Sequence, residues 1–170
     1  MTDAIVITPA RRGDVPDIQR LAREIWHAHY PGIITREQID YMLEHGYATG
    51  VLEEFIEGPD SGIEIALDEG RRVGFAAWYT TDSGDEAKLD KLYVLQTHQR
   101  KGVGARLIAR VESEARRTGA KTLVLNVNKN NAQAIRAYEK HGFAVRSAVV
   151  VDIGHGFVMD DYVMAKPLAG

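Results

Sequence analysis

The sequence predicts a mixed α/β fold in which one pair of neighbouring strands, those before and after the helix at 102–118, is parallel. The main observation is the order of the predicted elements: strand, helices, three strands, helix, strand, helix and two strands. A second is the length of 170 residues, which suits one domain, here residues 1–170, with a single core. The order differs from the regular strand–helix alternation of a doubly wound dinucleotide-binding fold.

The N-terminal part is predicted to form one strand followed by helices. A β-branched run opens the chain as a strand. Asp14 is an N-cap candidate with Pro16 in the first helical turn, and Thr35 and Gln38 fit a capping box. The spacing of the apolar residues then predicts where this strand and the helices begin and end. These segments are a strand at 5–8 and helices at 14–30, 35–43 and 49–57.

Three strands are predicted next, at 63–67, 73–80 and 87–95. The first two flank a turn at 68–71. In the third, strict alternation would place Leu89 on the same face as Tyr93.

The C-terminal part alternates helices with strands. A helix at 102–118 ends at Gly119, a natural left-handed stop. Asn130 or Asn131 caps the next helix, which ends at Gly142. The remaining segments are strands at 122–127, 143–153 and 157–165.

Composition excludes several classes of protein. The net charge of -3 gives no basic surplus for nucleic acid, and no apolar run is long enough to cross a membrane. Without cysteine there is no disulfide and no thiolate nucleophile or metal ligand, which is consistent with a cytoplasmic location. The histidine spacing gives no metal site, because two histidines at i and i+2 do not share a helical face. We therefore expect no metal, nucleic acid or membrane partner.

A glycine-rich loop at 99–104, Gln-Arg-Lys-Gly-Val-Gly, joins a strand to a helix. Glycines allow close backbone approach to a ligand, and the helix N-terminus presents free N–H groups, so the loop suits a pyrophosphate. The alternative is a turn with no ligand. A P-loop is excluded because no Lys-Ser/Thr pair follows, and a dinucleotide fingerprint because Leu107 stands where the third glycine belongs.

A second pattern spans 131–143. Asn131 and Tyr138 are two helical turns apart on one face, and the small side chain of Ala134 leaves space between them. An extended ligand could lie along such a face. The alternative is an ordinary helix with an N-cap asparagine and a packed tyrosine.

Taken together, the two patterns resemble the GNAT superfamily of N-acetyltransferases. The loop matches that superfamily's Q/R-x-x-G-x-G/A motif, and 131–143 matches its second cofactor segment. The resemblance implies the GNAT fold: a mixed, mostly antiparallel sheet that splays between two parallel strands. Further similarity, to the PaiA-like branch, extends over nearly the whole chain, at 33–43, 91–95, 152–154 and 158–164.

The resemblance implies acetyl-CoA as cosubstrate. Backbone groups of Tyr93 and Val94 would pair with the pantetheine arm, Asn131 would bond it from the other side, and Tyr138 would stand near the sulfur. Backbone N–H groups of the loop would hold the pyrophosphate. The loop residues concerned are Arg100, Lys101, Gly102, Val103, Gly104 and Ala105.

The reaction implied is acetyl transfer to a primary amine. An amine with a pKa of about 10.4 must lose a proton before it attacks. Asp90 is the candidate base, Glu86 is second, and proton loss to water is the alternative. Val94 N–H is the candidate oxyanion donor, and Tyr138 the candidate donor to the departing thiolate.

The resemblance implies a small-molecule amine as the acceptor, and its PaiA-like branch implies a polyamine. Trp26, His29 and Tyr30, near the end of the first helix, are expected to line its pocket. Protein N-termini and other amines remain open as acceptors, as does a non-catalytic CoA-binding regulator. A DNA-binding role for the arginines around the glycine loop is disfavoured, and the C-terminal strands could pair in a homodimer.

Overall fold

A seven-stranded sheet organises residues 4–168, the part of the chain that the computed structural model describes. Its order is β1-β2-β3-β4-β5-β7-β6, and only β4 and β5 pair in parallel. The strands are β1 (Ile5–Pro9), β2 (Ser61–Asp68), β3 (Arg71–Thr80), β4 (Glu86–Val94), β5 (Thr122–Asn128), β6 (Ala144–Gly154) and β7 (Phe157–Pro167). The helices are α1 (Val15–His29), α2 (Arg36–Gly46), α3 (Thr49–Glu57), α4 (Val103–Arg117) and α5 (Ala132–Lys140).

The two faces of the sheet carry two hydrophobic cores. On one face, α4 and α5 pack through residues such as Leu107 and Ile135 against Leu125. On the other, α1, α2 and α3 pack against Ile65 and Phe75 of β2 and β3. Every predicted strand and helix is present, so the predicted fold class is confirmed. No helix within residues 4–168 combines the length and apolar character needed to span a bilayer.

Two predicted helix caps need correction. Asp14 occupies the N-cap position of α1, but its side chain makes no capping bond, because its backbone is helical as the last residue of a short 3-10 turn. Its carboxylate accepts the Arg11 N–H at 2.8 Å and pairs with Arg72. Thr35 Oγ1 does cap α2, accepting Gln38 N–H at 3.2 Å, but the Gln38 side chain donates to the Val158 carbonyl instead of closing the box.

A β-bulge at Asp90 overturns the predicted alternation of β4. Ala77 pairs with Lys91 while Trp78 pairs with Leu89, so Asp90 is the extra residue. Leu89 consequently belongs to the α4-side core, whereas Tyr93 packs against the opposite core. A bulge shifts the side-chain period by one residue, which the sequence did not reveal.

The parallel pairing of β4 and β5 is brief. It covers Glu86, Ala87 and Lys88 of β4, opposite the first residues of β5. Beyond Lys88 the two strands diverge, as the resemblance predicted. A V-shaped opening therefore runs through the sheet.

The turn end of the β6–β7 hairpin is tied to α2. Tyr41 Oη donates to the Ile153 carbonyl at 2.6 Å, and Gln38 Nε2 donates to the Val158 carbonyl at 2.9 Å. These bonds place α2 and the hairpin beside the V on the α1 side of the sheet.

Candidate active site

A cleft of about 870 Å³ occupies the V between β4 and β5. It is lined from both faces of the sheet: by the glycine loop and α5 on one side, and by α1, α2 and β7 on the other. Because one continuous cleft reaches both faces, two ligands could meet inside the sheet from opposite directions.

The glycine loop forms an open cradle at one mouth of this cleft. Arg100 and Gly102 both adopt left-handed φ values, 64° and 81°, and Gly102 is the N-cap of α4. The first intrahelical bond of α4 runs from Arg106 N–H to Gly102 O, so the N–H groups before it have no helical acceptor. A Cβ added at Gly102 or Gly104 would meet no atom within 4 Å, so the space in front is open. The cradle therefore fits a pyrophosphate.

Cationic side chains surround this mouth. Arg100 lines the cleft, and Arg136 and Lys140 of α5 face it from the other side. The sequence analysis missed the latter two. Arg136 and Lys140 are four residues apart and share a face of α5, but each is two residues from Tyr138, so the helical spacing did not associate them with the Tyr138 face. Lys101 is exposed outside the lining, and the Val103 side chain is buried in the core, so these residues could contribute only their backbone to the cradle.

The backbone orientation of β4 corrects one prediction. Leu95 N–H bonds to Val73 O, and Gly74 stands opposite Val94. Because antiparallel ladders alternate, the backbone groups of Val94 point away from β3 into the V, while those of Tyr93 face β3. Val94 N–H is thus available to a ligand, whereas Tyr93 can contribute only its side chain.

One face of α5 forms a wall of the cleft. Asn131, Ala134 and Tyr138 all line it, in the arrangement that the helical spacing indicated. Burial raises the pKa of the Tyr138 phenol well above its ordinary value, and the nearby Tyr30 raises it further. The phenol therefore stays protonated and can act as a hydrogen-bond donor, not as a base.

Asn131 also joins the two walls of the cleft. Its Oδ1 caps α5 by accepting Ala134 N–H at 3.4 Å, and it lies 3.1 Å from His29 Nε2 at the end of α1. His29 thus lines the cleft, as predicted, whereas His27 points toward Asp40 of α2.

Aromatic rings line the α1 side of the cleft, and we call them the aromatic chamber: Trp26, Tyr30, Tyr47 and Tyr93. The Trp26 ring lies within 6 Å of the other three ring centroids in tilted or edge-on arrangements, and the Tyr30 and Tyr93 hydroxyls lie 2.9 Å apart. Burial raises the pKa of all three tyrosines, so they remain neutral. The sequence analysis predicted Trp26 and Tyr30 but missed Tyr47, which comes from the segment between α2 and α3.

Of the two candidate bases, Asp90 and Glu86, only the first lines the cleft. Asp90 lines the cleft, and its Oδ2 is paired with Lys91 Nζ at 2.9 Å. Glu86 lies outside the lining and pairs with Arg146 of β6 at 2.6 Å, so it is not placed to act as the base.

A further cleft carboxylate, Asp161 of β7, is 1% exposed. Burial and the nearby Asp160 raise its pKa to about 6, against the opposing effect of Lys88 and Lys129. The sequence analysis grouped Asp161 with other acidic residues but gave it no role. Among residues 4–168, no group of histidines and carboxylates is arranged to hold a metal ion.

Comparisons with known proteins agree with this geometry. Residues 18–143 match the acetyltransferase (GNAT) family. An uncharacterized N-acetyltransferase of Mycobacterium tuberculosis is 28% identical over 155 residues, which are 91% of this chain and 98% of the relative. The spermidine N(1)-acetyltransferase of Thermoplasma acidophilum is 25% identical over 151 residues, 86% of this chain and 90% of the relative.

Among solved structures, the PaiA N-acetyltransferase of Thermoplasma acidophilum in complex with coenzyme A superposes with a TM-score of 0.83. The identity is 24%, and the match covers 98% of this chain and 99% of the other. The family match and the anion cradle beside a V-shaped cleft lead to one conclusion: this chain belongs to the acetyltransferase (GNAT) family and is an N-acetyltransferase that takes its acetyl group from acetyl-CoA.

Proposed function

We propose that this enzyme acetylates a primary amine of a small molecule, and that polyamines are the acceptor class. The observation that carries the proposal is the chemistry of the aromatic chamber, where neutral rings adjoin the cleft carboxylates Asp90 and Asp161. Aromatic faces and carboxylates are the two environments that attract an alkylammonium group. The similarity to a spermidine acetyltransferase supports the same class.

Lys91 gives an internal example of this recognition. Its ammonium group lies 4.7 Å from the centre of the Tyr47 ring and 2.9 Å from Asp90 Oδ2. The lysine side chain is only 10% exposed, so its charge is held by these contacts more than by water. An acceptor ammonium would find the same type of environment a short distance along the cleft.

The position of α2 favours a small acceptor over a polypeptide. The bonds from Tyr41 to Ile153 and from Gln38 to Val158 hold the β6–β7 hairpin against α2. A polypeptide would need an open groove across this end of the cleft, whereas a flexible polyamine can enter end-on.

Each residue has a proposed role in the transfer. Bound acetyl-CoA supplies an acetyl group activated as a thioester. The cradle at Gly102 would hold its pyrophosphate, and Val94 N–H would donate to the carbonyl oxygen as negative charge develops there. Tyr138, kept protonated by its burial, would donate a hydrogen bond to the departing sulfur. Asp90, the base predicted from the sequence, lines the same cleft.

A panel of amines tests the function. Purified enzyme with acetyl-CoA would be offered spermidine, spermine, simple alkylamines, amino acids and short peptides with free N-termini, and thiol release would be followed with a chromogenic disulfide reagent. The protein has no cysteine, so it adds no thiol background. We expect the highest kcat/KM with a polyamine. Higher turnover with peptides would overturn the acceptor class, and CoA binding without any turnover would favour a regulator.

We also propose that the enzyme is cytoplasmic and dimerises through β6. Strand β6 is an edge of the sheet, and Val145, Val150 and Val151 on it are 40–63% exposed. A long apolar edge strand favours pairing with another chain. The absence of cysteine is consistent with a reducing compartment.

A further inference from the structure

Asp161 is unusual among the buried carboxylates of residues 4–168. The other two, Glu64 and Glu112, each face a cation, Arg110 at 3.2 Å and Lys166 at 2.6 Å respectively. Asp161 is the most buried of the three, and its Oδ1 has no hydrogen-bond partner within the described part of the chain. A buried carboxylate oxygen without a partner is costly, and a catalytic role is one of the reasons for which native proteins retain such a group.

The register of the sheet directs Asp161 toward the acceptor side. Asp161 stands opposite Asn128 of β5 and opposite Val149 of β6, and Asn128 lines the same cleft. Side chains paired across a ladder share a face, and the flanking residues of β7, Tyr162 and Met164, pack on the α4 side. Asp161 therefore projects to the opposite face, toward α1, close enough for its charge to raise the pKa of Tyr30.

We propose that Asp161 is the catalytic base that receives the proton from the ammonium group of the acceptor. This rests on the proposed transfer to an amine, and it replaces Asp90 in that role. Asp90 is the weaker candidate because Lys91 already neutralises it and its side chain is 27% exposed.

The proton balance is simple. An N–H bond of the ammonium breaks, its electron pair stays on nitrogen as the nucleophile, and the proton bonds to a carboxylate oxygen of Asp161. When the new N–C bond has formed and the C–S bond breaks, the nitrogen loses a second proton, and this proton bonds to the departing sulfur to give the CoA thiol. Asp161 then returns its proton to solvent, so the overall reaction releases CoA thiol and one proton.

The charged surroundings of Asp161 suit this role. Lys88 of β4 and Lys129 beyond β5 favour its ionised form, whereas Asp160 on its own strand opposes it. Tyr30, the residue that follows α1, is a neutral phenol close enough to interact with its charge. The resulting pKa of about 6 leaves the carboxylate largely ionised at neutral pH, yet basic enough to accept a proton.

The kinetic test uses Asp161→Asn, with Asp160→Asn as the control for loss of one carboxylate on β7. Asp160→Asn should retain kcat and, because Asp160 raises the pKa of Asp161, move the acid limb to lower pH. Asp160 is the adjacent residue on β7, is exposed, and pairs with Lys129 at 2.9 Å. With the best amine of the panel we expect Asp161→Asn to lower kcat by about 10²–10⁴-fold and to remove the acid limb near pH 6. The remaining rate should rise with pH as free amine becomes available. A raised acceptor KM with kcat and the acid limb retained would overturn the role.

A second test needs no turnover. Carbon NMR of labelled aspartate carboxyl groups, assigned by loss of the signal in Asp161→Asn, would follow the titration of Asp161 in the enzyme with CoA bound. We expect methylammonium to lower the titration midpoint, since an adjacent cation favours the carboxylate, and tetramethylammonium, which has no N–H to donate, to shift it less. If methylammonium does not change the titration midpoint of Asp161, the proposed contact between Asp161 and the acceptor ammonium is wrong, even in an active enzyme. A response in an enzyme that acetylates no amine would instead refute the proposed function.

Discussion

Replacing Gly102 by alanine separates the cradle's role in binding from its role in folding. Gly102 has a φ of 81°, and a Cβ there would meet no atom within 4 Å, so the cost to the fold is backbone strain alone. We expect about 1–2 kcal/mol of destabilisation, which lowers Tm by about 2–8 °C in a chain of this length. Gly119, at the other end of α4, has a φ of 92° and equally open surroundings outside the cleft. Gly119→Ala is therefore the matched control, with a similar loss of Tm.

Only Gly102→Ala should weaken CoA binding. Losing one hydrogen bond from the loop to a charged phosphate costs about 1.5–3 kcal/mol, which raises Kd by about 10- to 150-fold. Isothermal titration with CoA gives Kd, and scanning calorimetry gives Tm. Gly104→Ala is a third variant: Gly104 has no positive φ, and the superfamily loop allows alanine there, so Kd should be retained. The reasoning is refuted if Gly102→Ala loses Tm but keeps its Kd within about twofold, or if Gly119→Ala weakens binding equally.

Three further predictions follow from the buried and exposed groups. Tyr138→Phe should lower kcat by about 10²-fold while the KM for acetyl-CoA stays unchanged, and an unaltered kcat across pH would remove the phenol from the mechanism. Val150 on β6 is 63% exposed, so we expect the wild-type protein to sediment as a dimer and Val150→Lys to sediment as a monomer. A monomeric wild-type protein would contradict the proposed pairing through β6. Burial raises the pKa of Asp14, but the Arg11 N–H and Arg72 lower it more, so its net pKa is depressed. Asp14→Asn should therefore lower Tm at neutral pH, and the difference should disappear as acid protonates the wild-type carboxylate; a constant difference would show that its charge is irrelevant.

The sequence predicted best those features that depend on short-range spacing. Gly102 before a helical stripe is a local pattern, and so is the shared helical face of Asn131 and Tyr138. The structure places all three on the cleft. The chain segment that carries each pattern also determines its conformation, through the glycine φ values and the helical repeat.

The predictions failed where strand pairing decides the outcome. The bulge at Asp90 exists only in the pairing of β4 with β3, and it moved Leu89 to the other face. Glu86 is close to Asp90 in sequence, yet the brief contact of β4 with β5 leaves it at the closed end of the V, where it pairs with Arg146.

What the sequence by itself determined, then, is the donor side of this enzyme: the fold class, the glycine cradle and the α5 wall, all encoded over a few helical turns. Only the tertiary structure decided the acceptor side. Tyr47 and Asp161 lie more than a hundred residues apart. They reach one cleft because the segment between α2 and α3 packs on the face of the sheet toward which Asp161 projects from β7. The burial that raises the pKa of Asp161 is likewise a property of that packing, which residue spacing does not encode.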